Sequence, residues 1–187
     1  MKFIASGLAA ATLASAASAD ITITLNNQSF AGFSFNTIMN YAGGQNALGT
    51  LTGAVVNMTL NASTAYTYAD DICIYVGPSP IATGGKLQIG GFSNLGTPPG
   101  TRYFWPSGGS PAPGTTATGS VTLATPLTFV GDKEVDGYIY IGNGYGAPGT
   151  SGTWTGTITL IGINEVPAPG AVALLGLAGL TARRRRR

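Results

Sequence analysis

No histidine occurs among the 187 residues of this chain, and its absence removes the side chain most often used for catalysis and metal binding near neutral pH. A Ser-His-Asp triad, a Cys-His pair and an imidazole-bound zinc all need histidine, so most hydrolase mechanisms are excluded. Cysteine occurs once, as Cys73 between two isoleucines, which excludes an internal disulfide. That setting predicts a buried small hydrophobic residue.

Charged residues are also scarce, at 9% of the chain. The formal net charge of +2 comes from the five consecutive arginines that end the chain: Arg183, Arg184, Arg185, Arg186 and Arg187. Between residues 20 and 164 there are only three cations against six acids, a net charge of −3. Nucleic-acid binding needs clustered Lys and Arg to displace counterions, so this composition excludes it.

The residues that populate exposed helix faces, Glu, Lys, Arg and Gln, are rare between residues 20 and 164, whereas Thr, Val, Ile, Tyr and Gly are abundant. Short alternating or apolar runs bounded by Gly, Pro, Asn and Ser predict a single all-β domain, a β-sandwich. A stretch from Gly96 to Gly114 holds five prolines and is predicted to be a surface loop. Strands are predicted near residues 21–25, 29–35, 51–61, 71–76, 87–89, 119–123, 127–129, 138–141 and 154–163.

The N-terminal segment has the pattern of a secretory signal peptide. Lys2 supplies the positive charge, an apolar run follows, and the small residues before Asp20 fit a cleavage site. We expect signal peptidase to cut between Ala19 and Asp20, which gives a signal peptide over residues 1–19 and a domain over residues 20–164.

The C-terminal residues 165–187 combine three features: a short apolar run, the five terminal arginines, and before both the motif Val166-Pro167-Ala168-Pro169-Gly170. A helix over about 13 apolar residues is roughly 20 Å long, shorter than the roughly 30 Å hydrocarbon core of a bilayer. Arginines are held on the cytoplasmic side, so such a segment stops transfer only temporarily. An ordinary core helix and a plain single-span anchor are the alternatives.

Together with the signal peptide, this tail resembles the PEP-CTERM sorting signal of Gram-negative bacteria, with Ala168 where the usual motif has Glu. The resemblance implies a short transmembrane sorting helix, transient contact with the inner membrane, and cleavage near the motif by an exosortase. It also implies delivery to the cell envelope, the cell surface or the extracellular matrix.

Three segments of the body, Gly49–Leu60, Ala69–Pro78 and Ser151–Leu160, resemble the P domain that follows the protease in proprotein convertases. In that order they resemble its first long strand, its Asp-Leu-x-Ile-x-Leu-x-Pro motif and its Gly-x-Trp-x-Leu motif, with Ile72, Val76 and Gly156 at the three Leu positions. The resemblance implies a jelly-roll β-sandwich over most of the body, with Trp154 in the core.

Carboxylates are the remaining candidates for chemistry, because a pair of them can hydrolyse glycosides. Asp70 and Asp71 are sequence neighbours, and on an extended strand they would point to opposite faces. The run from Asp132 to Asp136 lies between two glycines, which is typical of a solvated hairpin loop. We therefore expect no enzyme activity. The candidate acids for the unfavoured glycosidase alternative are Asp70, Asp71, Asp132, Glu134 and Asp136.

Structural calcium is a stronger use for these acids, since calcium takes six to eight oxygen ligands. A site would form if Asp70 and Asp71 faced Asp132 and Asp136. P-domain-like folds often bind calcium near such an Asp motif, which the resemblance carries to Asp70 and Asp71. The alternative is that Asp70 bonds the backbone of its own turn.

Glycan binding is the other candidate activity, because sugar rings stack on flat aromatic faces. The candidate contacts are Tyr103, Phe104 and Trp105 in the proline-rich loop, with Tyr145. The alternative for Trp105 is that it closes one end of the sandwich. The sequence thus predicts an exported structural or adhesive protein. A carbohydrate-binding module for extracellular polysaccharide is the first alternative to it, and matrix proteins are further candidate partners.

Overall fold

The computed structural model describes residues 20–40, 45–79 and 83–166. Among those residues, no helix is long and apolar enough to cross a membrane. Most of the predicted sorting and processing signals lie outside the described residues. These are the signal peptide over residues 1–19, the motif residues Pro167, Ala168, Pro169 and Gly170, and the arginines Arg183, Arg184, Arg185, Arg186 and Arg187.

The described residues are mostly β-strand and form two sheets. The first sheet has four antiparallel strands in the order β1-β9-β3-β7. The second has five strands in the order β2-β8-β4-β5-β6, antiparallel except for the short parallel pair β5–β6. The strands are β1 (Ile21–Ala31), β2 (Phe35–Met39), β3 (Asn46–Thr64), β4 (Ile72–Gly77), β5 (Leu87–Ile89), β6 (Arg102–Tyr103), β7 (Thr116–Val130), β8 (Tyr138–Asn143) and β9 (Ser151–Val166).

The first four strands pair with later strands as if the chain were one long antiparallel hairpin folded into two sheets. Strand β1 pairs with β9, β2 with β8, β3 with β7 and β4 with β5, and these four pairs fall alternately in the two sheets. The outermost of these pairs joins residues far apart in sequence, so the two ends of the described body, Ile21 and Val166, lie in the same sheet.

One hydrophobic core lies between the sheets, built from the buried residues of both. The long strands alternate buried and exposed residues, as a sheet with one wet face requires. Strand β4 is buried on both faces: its even-numbered residues Ile72, Ile74 and Val76 join the core, while Cys73 and Tyr75 join a smaller cluster on the outer side. The prediction that Cys73 is buried is confirmed, and burial raises the pKa of its thiol.

Predicted and observed strands differ mainly in length and at two edges. The segments predicted at 21–25 and 29–35 are one strand, β1, and those at 119–123 and 127–129 are one strand, β7. Strands β2 and β6 were not predicted, and β6 lies within the proline-rich stretch as a two-residue edge strand. Strand β9 continues to Val166, which pairs with Asn46.

Candidate functional site

Loops from four parts of the chain meet at one end of the second sheet and enclose a cleft of about 200 Å³. One loop joins β3 to β4, and the others follow β5, β6 and β8. Because β5 and β8 run antiparallel to β4 and β6 runs parallel to β5, the start of β4 and the ends of β5, β6 and β8 share one edge of the sheet. We call this the aromatic cleft, lined by Tyr66, Tyr68, Asp70, Asp71, Gly91, Phe92, Phe104, Trp105 and Tyr145.

The two acids of the cleft sit on a single turn of 3-10 helix, Ala69–Asp71, whereas the sequence predicted Asp71 as the first residue of a strand. The Asp71 carboxylate accepts a hydrogen bond from the Tyr68 amide (2.7 Å), and the Asp71 amide donates to the Tyr68 carbonyl (3.2 Å). Asp71 therefore stabilises this turn, whereas the sequence had offered that role to Asp70 as the alternative to calcium binding. On this turn both carboxylates line the same cleft, so the opposite-face argument does not apply to them.

Both tryptophans of the chain hold this acidic turn in place. The indole N–H of Trp154 donates to the Ala69 carbonyl (3.0 Å), and that of Trp105 donates to the Ile72 carbonyl (2.7 Å). Trp154 is fully buried, as predicted, and Trp105 is only 4% exposed. Trp105 thus closes the end of the core, which was the alternative to a glycan-stacking role.

The loop after β5 carries Phe92 and is fixed by two side chains. Buried Gln88 donates to the carbonyls of Gly90 (3.1 Å) and Ser93 (2.7 Å) and accepts from the Leu95 amide (3.0 Å). Arg102 donates to the carbonyls of Gly91 and Phe92. The loop is therefore held by hydrogen bonds on both sides, and the position of Phe92 is set before any ligand binds.

Two glycines allow the loops after β5 and β8 to touch. A Cβ atom on Gly144 would lie 2.6 Å from the Cα of Gly91, and one on Gly91 would lie 2.8 Å from the Cα of Gly144. Of these two, only Gly91 has a positive φ, 79°. The glycine at 144 is needed for close approach and not for a left-handed backbone.

Three aromatic side chains at the mouth of the cleft are more than half exposed: Tyr66 by 76%, Phe92 by 73% and Phe104 by 62%; Tyr68 is 38% exposed. Tyr66 has a left-handed backbone (φ 61°), which is uncommon for a bulky residue. Phe92 contacts Tyr145 edge to face with ring centroids 5.7 Å apart, and the Arg102 guanidinium lies 4.7 Å from the centre of the Phe104 ring. These contacts orient the rings but leave large faces open to solvent.

Burial makes the acids of the cleft weaker than usual. It raises the pKa of Asp71 to about 6, with a smaller contribution from the charge of Asp70, while the Tyr68 amide acts in the opposite sense. Burial also raises the pKa of Asp70. Within the described residues, no Lys or Arg forms an ion pair with either carboxylate.

We expect the Asp71 carboxyl to make folding stability depend on pH. Its pKa is raised from 3.8 to about 6 in the folded state, so between about pH 4 and 6 the folded protein binds a proton that the unfolded chain has lost. The free energy of unfolding should therefore fall as pH rises through that window, by on the order of 2 kcal/mol, and level off above it. Urea denaturation at pH 4.5 and pH 7 measures this difference.

The Asp71→Asn variant keeps an oxygen for the Tyr68 amide but cannot ionise, so the difference between the two pH values should shrink. The matched control is Asp132→Asn, an exposed acid remote from the cleft, which should keep the wild-type difference. An unchanged difference in Asp71→Asn would assign the pH dependence to other groups, of which Asp70 is the nearest acid.

The acids Asp132 and Asp136 lie at the opposite end of the second sheet. Asp132 caps and Asp136 ends a single helical turn, α1 (Lys133–Asp136), which comes just before β8 and beside Gly77 at the end of β4. Six strand residues at about 3.3 Å each separate that end from Asp71, roughly 20 Å. The shared calcium site and the shared carboxylate pair that the sequence suggested are therefore not assembled.

The predicted loop at Asp132 is a turn in which the two acids bond backbone amides. Asp132 accepts from the Glu134 amide (2.9 Å), and Asp136, which is buried, accepts from the amides of Val130, Gly131 and Asp132. In the described part of the chain, no group of three or more acids, histidines or cysteines is placed to hold a metal ion. Calcium binding at Asp70 and Asp71 alone stays a prediction.

Of the four predicted glycan contacts, the structure brings Phe104, Trp105 and Tyr145 to the aromatic cleft. Tyr103 lies outside it: its hydroxyl donates to the Gly100 carbonyl (3.3 Å) and accepts from the Ala124 amide (3.0 Å). Sequence reasoning missed Tyr66, Tyr68 and Phe92. Both tyrosines precede the Asp70 motif and offered a signal, whereas nothing in the sequence around Phe92 marks it.

Comparison of the chain with protein-family models, with curated proteins and with solved structures gives no match.

Proposed function

We propose that this chain is an exported, non-enzymatic protein of the cell surface or extracellular matrix that binds polysaccharide through the aromatic cleft. The observation that carries the proposal is the exposure of three large aromatic side chains, Tyr66, Phe92 and Phe104, around a cleft with two carboxylates. Adhesion to a matrix polymer and a structural role in that matrix follow from the same activity.

The physical argument rests on what these groups can bind. Clustered exposed aromatic surface is uncommon on a soluble protein and marks a site of interaction. The apolar face of a sugar ring covers an aromatic face, and carboxylates accept hydrogen bonds from sugar hydroxyls. Hydrogen bonds from Gln88, Arg102 and the two tryptophans hold the walls of the cleft in place. Ligand binding therefore loses little conformational entropy in these loops.

For the body we propose a jelly-roll β-sandwich, as the resemblance to the P domain implied. The pairing of β1 with β9, β2 with β8, β3 with β7 and β4 with β5 supports this proposal. A ribbon of four such pairs, alternating between two sheets over one core, is the arrangement of a jelly roll.

The proposed export route uses signal peptidase at Ala19–Asp20 and an exosortase near Val166–Gly170, with transient passage through the inner membrane. The positions of the first and last strands are compatible with these two cleavage sites. Strand β1 begins at Ile21, directly after the first proposed cut, and β9 reaches Val166. A first cut before Asp20 and a second cut beyond Val166 would leave the described strands intact.

The test of glycan binding is affinity electrophoresis through gels that contain soluble β-glucan, xylan, glycol chitin or glycol chitosan. We expect at least one polymer to retard the protein, and Phe104→Ala to weaken binding by about tenfold because one stacking face is lost, about 1.4 kcal/mol. The control is Val135→Ala, which is 60% exposed at the opposite end of β4 and should bind normally. Failure of all four polymers to retard the wild-type protein would contradict the proposal.

Trp105→Ala is a poor probe of glycan binding, because Trp105 is buried and bonds the Ile72 carbonyl. Its loss would disturb the fold before it tested a ligand contact. Tyr66→Ala is the better second variant, since the Tyr66 side chain is 76% exposed.

The glycosidase alternative has one observation in its favour: Asp71, with a pKa of about 6, lies beside Asp70. Against it, Asp71 is 4% exposed and its carboxylate is engaged by the Tyr68 amide, which leaves little access to a substrate oxygen. Incubation with the same polymers should release no reducing ends. Release that is abolished in Asp71→Asn would establish the hydrolase instead.

A further inference from the structure

The charged side chains that line the aromatic cleft are both acids. Asp70 and Asp71 both line it, and neither forms an ion pair with a cation of the described residues. Arg102 is close by, but its guanidinium donates to the carbonyls of Gly91 and Phe92 and lies over the Phe104 ring. The arginine therefore serves the wall of the cleft and leaves its carboxylates without a counter-charge.

Aromatic rings and carboxylates share one kind of ligand, an organic cation. The faces of Tyr and Phe rings attract ammonium groups, and a carboxylate bonds them with charge assistance. Burial already raises the pKa of both carboxyl groups. A neutral sugar would bury these carboxylates further without supplying a positive charge to compensate for the lost solvation. A bare divalent cation suits the cleft poorly, because calcium needs six to eight oxygens and aromatic side chains supply most of these walls.

The size of the cleft limits what enters it. At about 200 Å³ it is smaller than the roughly 300–1,000 Å³ of a site for a drug-sized molecule. One monosaccharide unit of a longer chain is small enough to enter a cleft of this volume. The neighbouring units would then lie over the exposed rings of Tyr66, Phe92 and Phe104.

We propose that the polysaccharide bound by this cleft is an amino-sugar polymer with free amino groups, whose ammonium is received by Asp70, the less buried of the two acids, while its rings stack on the exposed aromatics. This inference rests on the proposed function and names the class of its ligand. Partial removal of N-acetyl groups from a hexosamine polymer produces such a ligand, so the protein would distinguish a de-N-acetylated polymer from an acetylated one.

The test compares a glucosamine hexamer with an N-acetylglucosamine hexamer by isothermal titration of the processed protein at pH 7. We expect the glucosamine hexamer to bind at least tenfold more tightly, and its affinity to fall with added salt. In Asp70→Asn the preference should disappear while the acetylated hexamer binds as before. Phe104→Ala should weaken both ligands, and Asp132→Asn, the matched control for a lost charge, should change neither.

The possible failures are distinguishable. Equal affinity for the two hexamers would overturn the amino-sugar inference and leave polysaccharide binding standing, whereas no binding of either hexamer or of the neutral polymers would overturn both. A lysine hexapeptide is the third ligand. If it binds as tightly as the glucosamine hexamer, the cleft recognises basic peptides and the inference is wrong.

Discussion

Replacement of Trp154 by alanine is expected to remove about 4 kcal/mol or more from the free energy of unfolding. A fully buried Trp reduced to Ala usually costs about 3–5 kcal/mol through lost burial and the cavity left behind. Here the Ala69 carbonyl would also lose the indole N–H that bonds it at 3.0 Å. Domains of this size unfold with roughly 5–15 kcal/mol, so the loss would be a large fraction of the total stability.

The surroundings of Trp154 explain why the site cannot relax. Its ring packs over Gly152, where a Cβ would lie 2.2 Å from the indole, and against Phe30, with ring centroids 6.1 Å apart. The strand β9 that carries it is paired on both sides, with β1 and β3. Such a position has no free edge along which the backbone can close the cavity.

Chemical denaturation of Trp154→Ala and Trp154→Phe separates the contribution of ring burial from that of the hydrogen bond to the Ala69 carbonyl. The phenylalanine variant keeps most of the burial and loses the hydrogen bond, so we expect about 1–2 kcal/mol. It also frees the Ala69 carbonyl next to Asp70, and should therefore weaken ligand binding in the cleft even where the protein stays folded. Equal costs for the two variants would contradict this account, because burial would then contribute nothing.

Strands could be predicted from the sequence where the alternation of apolar and polar residues lies within a single segment. Alternation over Leu51–Asn61 and 154–163 predicted the two long central strands, and the apolar run at Ile72 predicted β4. Strand β2 was missed because Phe35–Met39 mixes polar and apolar residues at an edge, and only its pairing with β8 defines it. The break predicted within β1 was wrong, because a bulge between Leu25 and Gln28 keeps one strand continuous.

The site was predictable only in part, because it is assembled by pairing between distant strands. Phe104 and Tyr145 stood out in their loops, but Phe92 joins them only because β4, β5, β6 and β8 bring their ends to one edge. The same geometry separates Asp71 from Asp136, which the sequence had grouped by chemistry alone. The sequence shows which acids could bind a metal ion, whereas the pairing of the strands decides which of these acids lie close together.

Asp136→Ala is expected to cost roughly 3 kcal/mol or more, although no ligand contact is involved. The buried Asp136 carboxylate accepts hydrogen bonds from three successive backbone amides, of Val130 (3.0 Å), Gly131 (2.9 Å) and Asp132 (3.1 Å). Without it these part-buried amides lose a charged acceptor at the turn between β7 and α1, and each amide left without a partner costs up to about 1–3 kcal/mol. Urea denaturation should show a lower midpoint with an unchanged slope.

Glu134→Ala is the matched control, because it removes the same charge from an exposed position on the same turn. We expect it to change the free energy of unfolding by no more than about 0.5 kcal/mol. A similar small effect of Asp136→Ala would show that water replaces the carboxylate at the three amides. A large effect would mean that loss of any activity in Asp136→Ala reports unfolding, so the acids of the aromatic cleft, Asp70 and Asp71, are the ones whose variants test binding.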